Sequence, residues 1–146
     1  MPRSEPAPPD PTTAPTPPLD LVAIARETLG EKFGLDLGPN VILTKPLSYM
    51  AFLNLWRDAA MVLTDSGGLQ EETTALGVPC ITMRENTERP VTVDEGTNTL
   101  AGTDPQAILG AARAALSQGG KQGRVPHLWD GKAAERIVAV LEGMLK

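Results

Sequence analysis

The sequence predicts an α/β fold: a small parallel sheet of about four strands with flanking helices. Three observations carry this. Met61-Val62-Leu63 is a short apolar run that leads through Thr64-Asp65-Ser66-Gly67-Gly68 into the helix formers Leu69-Gln70-Glu71-Glu72, the pattern of a buried strand, a tight turn and a helix start. Gly77 then stops the helix and Val78 to Met83 reads as the next strand; strand, helix and strand with a short return form the unit of a parallel sheet with right-handed crossovers. Val41–Thr44 and Asn98–Ala101 add two more short runs of strand character.

The elements follow in order. Residues 1–18 hold eight of the fourteen prolines and almost no large apolar side chain, so they read as a disordered or polyproline-like tail that cannot bury enough surface to offset its ordering entropy. No apolar stretch follows Arg3, which argues against a signal peptide. Asp20 caps a helix with Leu21, Ile24, Ala25 and Leu29 on one stripe, ended by Gly30 or Gly34. Gly38-Pro39 is a turn, and Pro46 stops the strand Val41–Thr44. Tyr49 to Trp56 is a helix with Phe52 and Trp56 one turn apart, read from spacing as a core-facing aromatic pair. After the central unit, Arg84 to Pro90 leaves the carboxyl end of a strand, the edge where open α/β sheets bind ligands, which puts Ser66 and Arg89 on one rim. Pro90 favours the start of a short helix just after Arg89; by itself Arg89 reads as a surface ion pair with Glu85 or Glu88. Asp104-Pro105 opens a helix containing Ile108, Leu109, Ala112 and Leu116, and Asp130–Leu145 closes the chain with a buried stripe of Ala134, Ile137, Val138 and Leu141.

Composition bounds the function. The 146 residues make one domain at most. A net charge of −5 argues against a nucleic-acid binder held by a basic stripe. Nothing is long and apolar enough to span a membrane. Cys80, the single cysteine, sits in the apolar run Val78-Pro79-Cys80-Ile81 and reads as a small core residue. With His127 alone in a loop, no cysteine- or histidine-based metal site is expected. A cytoplasmic location fits.

The chemistry lies in the central turn. Ser66 is the natural N-cap, with a hydroxyl able to accept from a first-turn N–H. Gly67 and Gly68 clear side chains from the backbone where a ligand would approach. With the partial positive charge of a helix start this makes an anion site, most often for phosphate. Glu72, four residues after Gly68, lies on the same face one turn below, and its carboxylate leans back toward that site. It would repel phosphate but could accept hydrogen bonds from ribose hydroxyls. The alternative is a plain tight turn with two glutamates on a solvated helix start.

The runs T-D-S-G-G-L-Q-E-E, L-G-V-P, R-E-N-T-E-R-P, E-G-T-N-T-L-A-G-T-D and D-G-K-A-A-E-R-I, at their spacing here, resemble the non-hydrolysing UDP-N-acetylglucosamine 2-epimerases from about Asn40 to Leu141. The resemblance implies the back half of a two-domain glycosyltransferase-B-like fold, with residues 19–146 as a truncated, partial UDP-binding Rossmann-like domain. It implies that Ser66, Gly67, Gly68 and Glu72 hold UDP, that Arg89 faces an anion and that Phe52 borders the uracil. The family inverts carbon 2 of the sugar by eliminating UDP and adding it back, a role tied to cell-envelope polysaccharides. Its acid–base groups belong to the front domain and early back domain, which have no counterpart here, so no catalytic residue is expected in this chain. No cofactor is expected. The implied partners are UDP or UDP-N-acetylglucosamine, and a separate chain carrying the front domain or a second copy; neither nucleic acid nor membrane is expected. Two other readings stand beside this: a UDP-binding module without turnover, and the back domain of a glycosyltransferase. The family's Asn-Pro-aromatic-Gly run before D-G-K-A is replaced by V-P-H-L-W, which leaves ligand or domain contacts there open. In the doubly wound order 3-2-1-4-5-6 the absent strands would lie between Val41–Thr44 and Met61–Thr64. Val41–Thr44 is therefore expected either to pair beside Met61–Thr64 or to be loosely held.

Overall fold

The computed structural model describes residues 20–145, so the Pro-rich stretch 1–18 lies outside the described residues. The chain divides between Leu47 and Ser48 into two units. In the first, α1 (Leu21–Phe33) starts where Asp20 Oδ1 accepts from Val22 and Ala23 N–H, and it stops at Gly34 in the left-handed region, φ 63°. Val41–Thr44 forms no strand, and Ile42 is 84% exposed. Four residues between Pro39 and Pro46 hold an extended form only where a neighbouring strand supplies ladder bonds. The expected fourth strand is absent among the described residues, and the sheet has three strands.

In the second unit, α2 (Tyr49–Trp56) is capped by Ser48. It is followed by β1 (Val62–Thr64), α3 (Gly67–Leu76), β2 (Cys80–Thr82), α4 (Pro90–Asp94), β3 (Asn98–Leu100), α5 (Pro105–Gln118) and α6 (Ala133–Met144). The strands are parallel in the order β1-β2-β3, with Val62 opposite Cys80 and Cys80 opposite Asn98. Both neighbour relations match those of the doubly wound order that the resemblance implies. Gly77, at φ 74°, ends α3 in the left-handed conformation that glycine adopts without Cβ strain.

The two faces of the sheet differ in chemistry. Ile81 packs on Ala112 and Ala115 of α5, with Met61, Ala101 and Ala111 around them. The other face, under α3 and α4, is polar and dry: Gln70, Thr73, Thr74, Thr82, Thr92 and Asn98 are all at most 1% exposed. Thr82 Oγ1 donates to Asn98 Oδ1 at 2.6 Å. Asn98 Nδ2 donates to Gln70 Oε1 and to Thr92 Oγ1, each at 3.1 Å. Thr87 Oγ1 donates to Gln70 Oε1 at 2.5 Å, and Thr92 Oγ1 to Arg89 O at 2.7 Å. Lys121 Nζ adds bonds to the carbonyls of Val93 and Asn98.

Two expectations about burial need correction, for Phe52 and for α6. Trp56 is buried, but Phe52 is 39% exposed and does not join it in a core pair. On α5 the buried residues are Ala112 and Ala115, while Leu109 and Leu116 are exposed. On α6 no residue is buried, and Ala134, Ile137, Val138 and Leu141 are all exposed. An amphipathic stripe is covered only where a second layer faces it, and no such layer lies against it among the described residues.

Replacing Asn98 by leucine should lower the unfolding free energy by roughly 2–4 kcal/mol, since it strands several buried polar partners at once. Leu116→Ser should change it by less than about 0.5 kcal/mol, as expected of a surface position. Urea unfolding of both variants against the parent measures the contrast.

Candidate functional site

The three strands end in register at Thr64, Thr82 and Leu100, and the segments leaving them form one rim. At its centre β1 passes into α3. Thr64 Oγ1 accepts from Ser66 N–H at 3.0 Å, which fixes the turn. Ser66 occupies the N-cap position in extended conformation, but its hydroxyl makes no capping bond. That corrects the expected cap: the backbone places Ser66 at the helix start and leaves its hydroxyl exposed over the first turn.

Gly67 and Gly68 are not demanded by the fold. Neither has positive φ; a Cβ on Gly67 would meet only Glu88 Oε2 at 4.0 Å, and one on Gly68 only Ser66 Oγ at 3.9 Å. Their effect is to leave the first N–H groups of a ten-residue helix open to an approaching anion. Gly96, in the E-G-T-N run, is the opposite case. A Cβ there would sit 2.6 Å from Thr92 O, so this glycine exists for packing.

Arg89 stands immediately before α4, as expected from Pro90. Its ion partner is neither Glu85 nor Glu88 but Glu71 of α3, with Nε to Oε1 at 2.8 Å. Glu88 is taken by Arg84, which bonds both carboxylate oxygens at 3.0 Å and lowers the pKa of that carboxyl. Glu85 instead accepts from Thr103 N–H and Oγ1, tying the loop after β2 to the loop after β3. Arg89 N–H donates to Thr87 Oγ1, which itself bonds Gln70. The buried amide network thereby positions Arg89 beside α3.

Glu72, half-buried, borders an open cleft of ≈ 330 Å³ with Glu71, Ala75 and Trp129. The turn that carries Trp129 is closed by its N–H bonding Pro126 O at 3.2 Å, with Leu128 at φ 70°. A non-glycine residue there costs roughly 1–2 kcal/mol. The turn is held by Arg136, which bonds both oxygens of Asp130 at 3.0 and 2.9 Å and the carbonyl of Leu128 at 2.9 Å. That guanidinium, followed by the Lys132 N–H, holds the Asp130 carboxyl down to about 2, so the clamp stays ionised at neutral pH.

The structure thus brings Ser66, Gly67, Gly68 and Glu72 onto α3, with Arg89 joined to that helix through Glu71. Phe52 is a surface ring on α2, and no bond of its side chain ties it to the rim. Cys80 is buried, and burial pushes its thiol pKa up. Among the described residues no group of three or more His, Cys, Asp or Glu could hold a metal ion, and no helix is long and apolar enough to cross a membrane. Sequence reasoning missed Gln70, Thr87 and Asn98 as a connected network, and Trp129 as a neighbour of Glu72. The available signal for the first was the spacing of Gln70, Thr73 and Thr74, an i, i+3, i+4 stripe of polar residues on a helix with a buried face.

The sequence profile described as UDP-N-acetylglucosamine 2-epimerase matches residues 19–142. The chain is 43% identical over 104 residues to the UDP-N-acetylglucosamine 2-epimerase of Methanococcus maripaludis, covering 71% of this chain and 28% of that protein. It is 42% identical over 108 residues to the enzyme of that name from Escherichia coli, covering 70% of this chain and 28% of that protein. Among solved structures, the Methanocaldococcus jannaschii UDP-GlcNAc 2-epimerase in complex with UDP-GlcNAc and UDP superposes with a TM-score of 0.63 at 36% identity, over 82% of this chain and 33% of that one. The Neisseria meningitidis enzyme bound to UDP-GlcNAc gives 0.60 at 29% identity, over 86% of this chain and 35% of that one. The chain therefore spans under a third of the length of these curated relatives, and it belongs to the UDP-N-acetylglucosamine 2-epimerase family.

Proposed function

We propose that residues 19–146 form the UDP-binding part of a UDP-N-acetylglucosamine 2-epimerase, interconverting UDP-GlcNAc and UDP-ManNAc once the rest of the fold is present. The observation that supports it is the pair of glycines at the start of α3, which neither backbone conformation nor packing requires. In this reading the first-turn N–H groups and the Ser66 hydroxyl take the diphosphate, Glu72 accepts from the ribose hydroxyls, and Arg89 adds positive charge at the same rim. Phe52 borders the uracil. These groups stabilise UDP as a leaving group, whose charge develops as the carbon–oxygen bond breaks. Related structures that carry UDP-GlcNAc and UDP support this choice of ligand.

The carbon-bound proton needs an acid and a base around the sugar. In this reading they reside in the part of the family's length that this chain does not span, and that part, or a second copy, is the macromolecular partner. The exposed apolar residues Ile137, Val140 and Leu141 of α6 are a surface suited to such a contact. No cofactor enters this reading, and a cytoplasmic location suits the free, buried Cys80. A UDP-binding module without turnover is the second reading; it shares the site and differs only in whether a partner completes it.

Gly68→Val should fold like the parent, because its side chain meets open space, yet lose UDP affinity at least about tenfold, because a branched side chain stands where phosphate oxygen approaches. Titration calorimetry with UDP, alongside unfolding curves, measures both. Unchanged affinity in a folded variant would remove the assignment. Ser66→Ala should weaken UDP binding by roughly 1 kcal/mol, the size of one hydrogen bond, and leave stability unaltered since no cap is lost.

The chain alone should not exchange the hydrogen at carbon 2 of UDP-N-acetylglucosamine with solvent, because acid–base contributions of about 10² to 10⁴-fold each are missing. Deuterium incorporation followed by NMR is the measurement. Incorporation above a protein-free control would reveal catalytic groups within these residues.

A further inference from the structure

We propose that Trp129 is a specificity-determining residue of the UDP site. Its indole face packs against the ribose held by Glu72, and so selects a nucleoside diphosphate over bare diphosphate. The inference rests on the site reading given above and adds a residue to it. Trp129 and Glu72 line the same cleft of ≈ 330 Å³, with Glu71 and Ala75 as the remaining walls. Glu71 is engaged by Arg89, whereas Glu72 has neither an ion pair nor a side-chain hydrogen bond among the described residues. A free carboxylate beside an aromatic ring over a small alanine matches a furanose, whose hydroxyls sit on its edge and whose C–H groups form an apolar face.

The turn carrying Trp129 is built as a positioning device. Leu128 is the one described non-glycine residue with positive φ, and strained backbone of this kind persists where the surroundings over-determine it. Here they do: Arg136 grips Asp130 through both oxygens and the Leu128 carbonyl through the same guanidinium. The segment departs from the family's Asn-Pro-aromatic-Gly pattern at this point, with V-P-H-L-W before D-G-K-A, so that an aromatic ring stands directly before Asp130 where that pattern has glycine. A merely structural account would make Trp129 a cover for Ala75, with no dependence on ligand.

The test uses the whole chain, with UDP and inorganic pyrophosphate as probes, and the variants Trp129→Ala, Trp129→Phe and Gly68→Val. Trp129→Ala should weaken UDP binding about tenfold, the equivalent of the apolar area one sugar face can bury, and leave pyrophosphate binding within about twofold. Trp129→Phe should recover most of the UDP affinity. UDP should change the indole fluorescence of the parent, and that change should vanish in Trp129→Phe, where only buried Trp56 remains. Equal UDP affinity in Trp129→Ala, or an equal loss for UDP and pyrophosphate, overturns the proposal and leaves the site on α3 standing. A parent that binds no UDP, or a Gly68→Val that binds it fully, overturns the site itself and the role of Trp129 with it.

Discussion

Asn98 accepts from Thr82 and donates to Gln70 and Thr92, so one buried amide joins β2, β3, α3 and α4. α3 and the turn before α4 hang on this connection. Gln70 passes it to Thr87, and Thr87 holds the Arg89 N–H; the turn before α4 is therefore set by the same bonds that hold α3 to the sheet. Every oxygen and nitrogen of the Asn98 side chain is engaged, whereas Gln70 Nε2 and Thr74 Oγ1 are buried without a partner, so the arrangement is specified mainly through Asn98. A shift of α3 along the sheet would break several bonds at once. The orientation of the first-turn N–H groups is then a property of the core rather than of a loop.

The central unit was legible because it is local. A strand, a two-glycine turn and a helix are adjacent in sequence, and parallel pairing follows from the short return through Gly77 and Pro79. Arg89 ahead of a short helix was legible from Pro90. What escaped depends on tertiary partners. The stripes of α5 and α6 look alike in sequence, yet α5 buries two alanines against Ile81 while α6 buries nothing. Val41–Thr44 has strand composition but no ladder beside it. Ser66 sits at the cap position, and its hydroxyl makes no capping bond. The Gln70–Asn98 connection was not legible because the partners of Gln70 lie 17 and 28 residues away in the chain.

The motif glycines, equivalent as letters, are of different physical kinds: Gly77, Gly102 and Gly131 take the left-handed conformation, and the others differ in the space around them. Gly67 and Gly68 have room around them, and their value is access. Gly96 and Gly123 have none: the backbones of these two residues abut, and Arg124 N–H bonds Glu95 O at 2.9 Å beside them. Lys121, just ahead of Gly123, reaches the carbonyls of Val93 and Asn98. The E-G-T-N run is thus sealed from behind by the segment after α5. Its occurrence together with the α3 turn reflects shared scaffolding.

The largest fully buried side chains are Gln70, Asn98, four threonines and Cys80, while the apolar cluster on the opposite face of the sheet is built on Ile81 and two alanines. Unfolding would hydrate amides and hydroxyls alongside comparatively little apolar surface. Apolar exposure raises heat capacity and polar exposure lowers it. The domain should therefore unfold with a small heat-capacity increment for its size, so that its stability varies only gently with temperature and cooling weakens it less than a core of leucine and phenylalanine would be weakened.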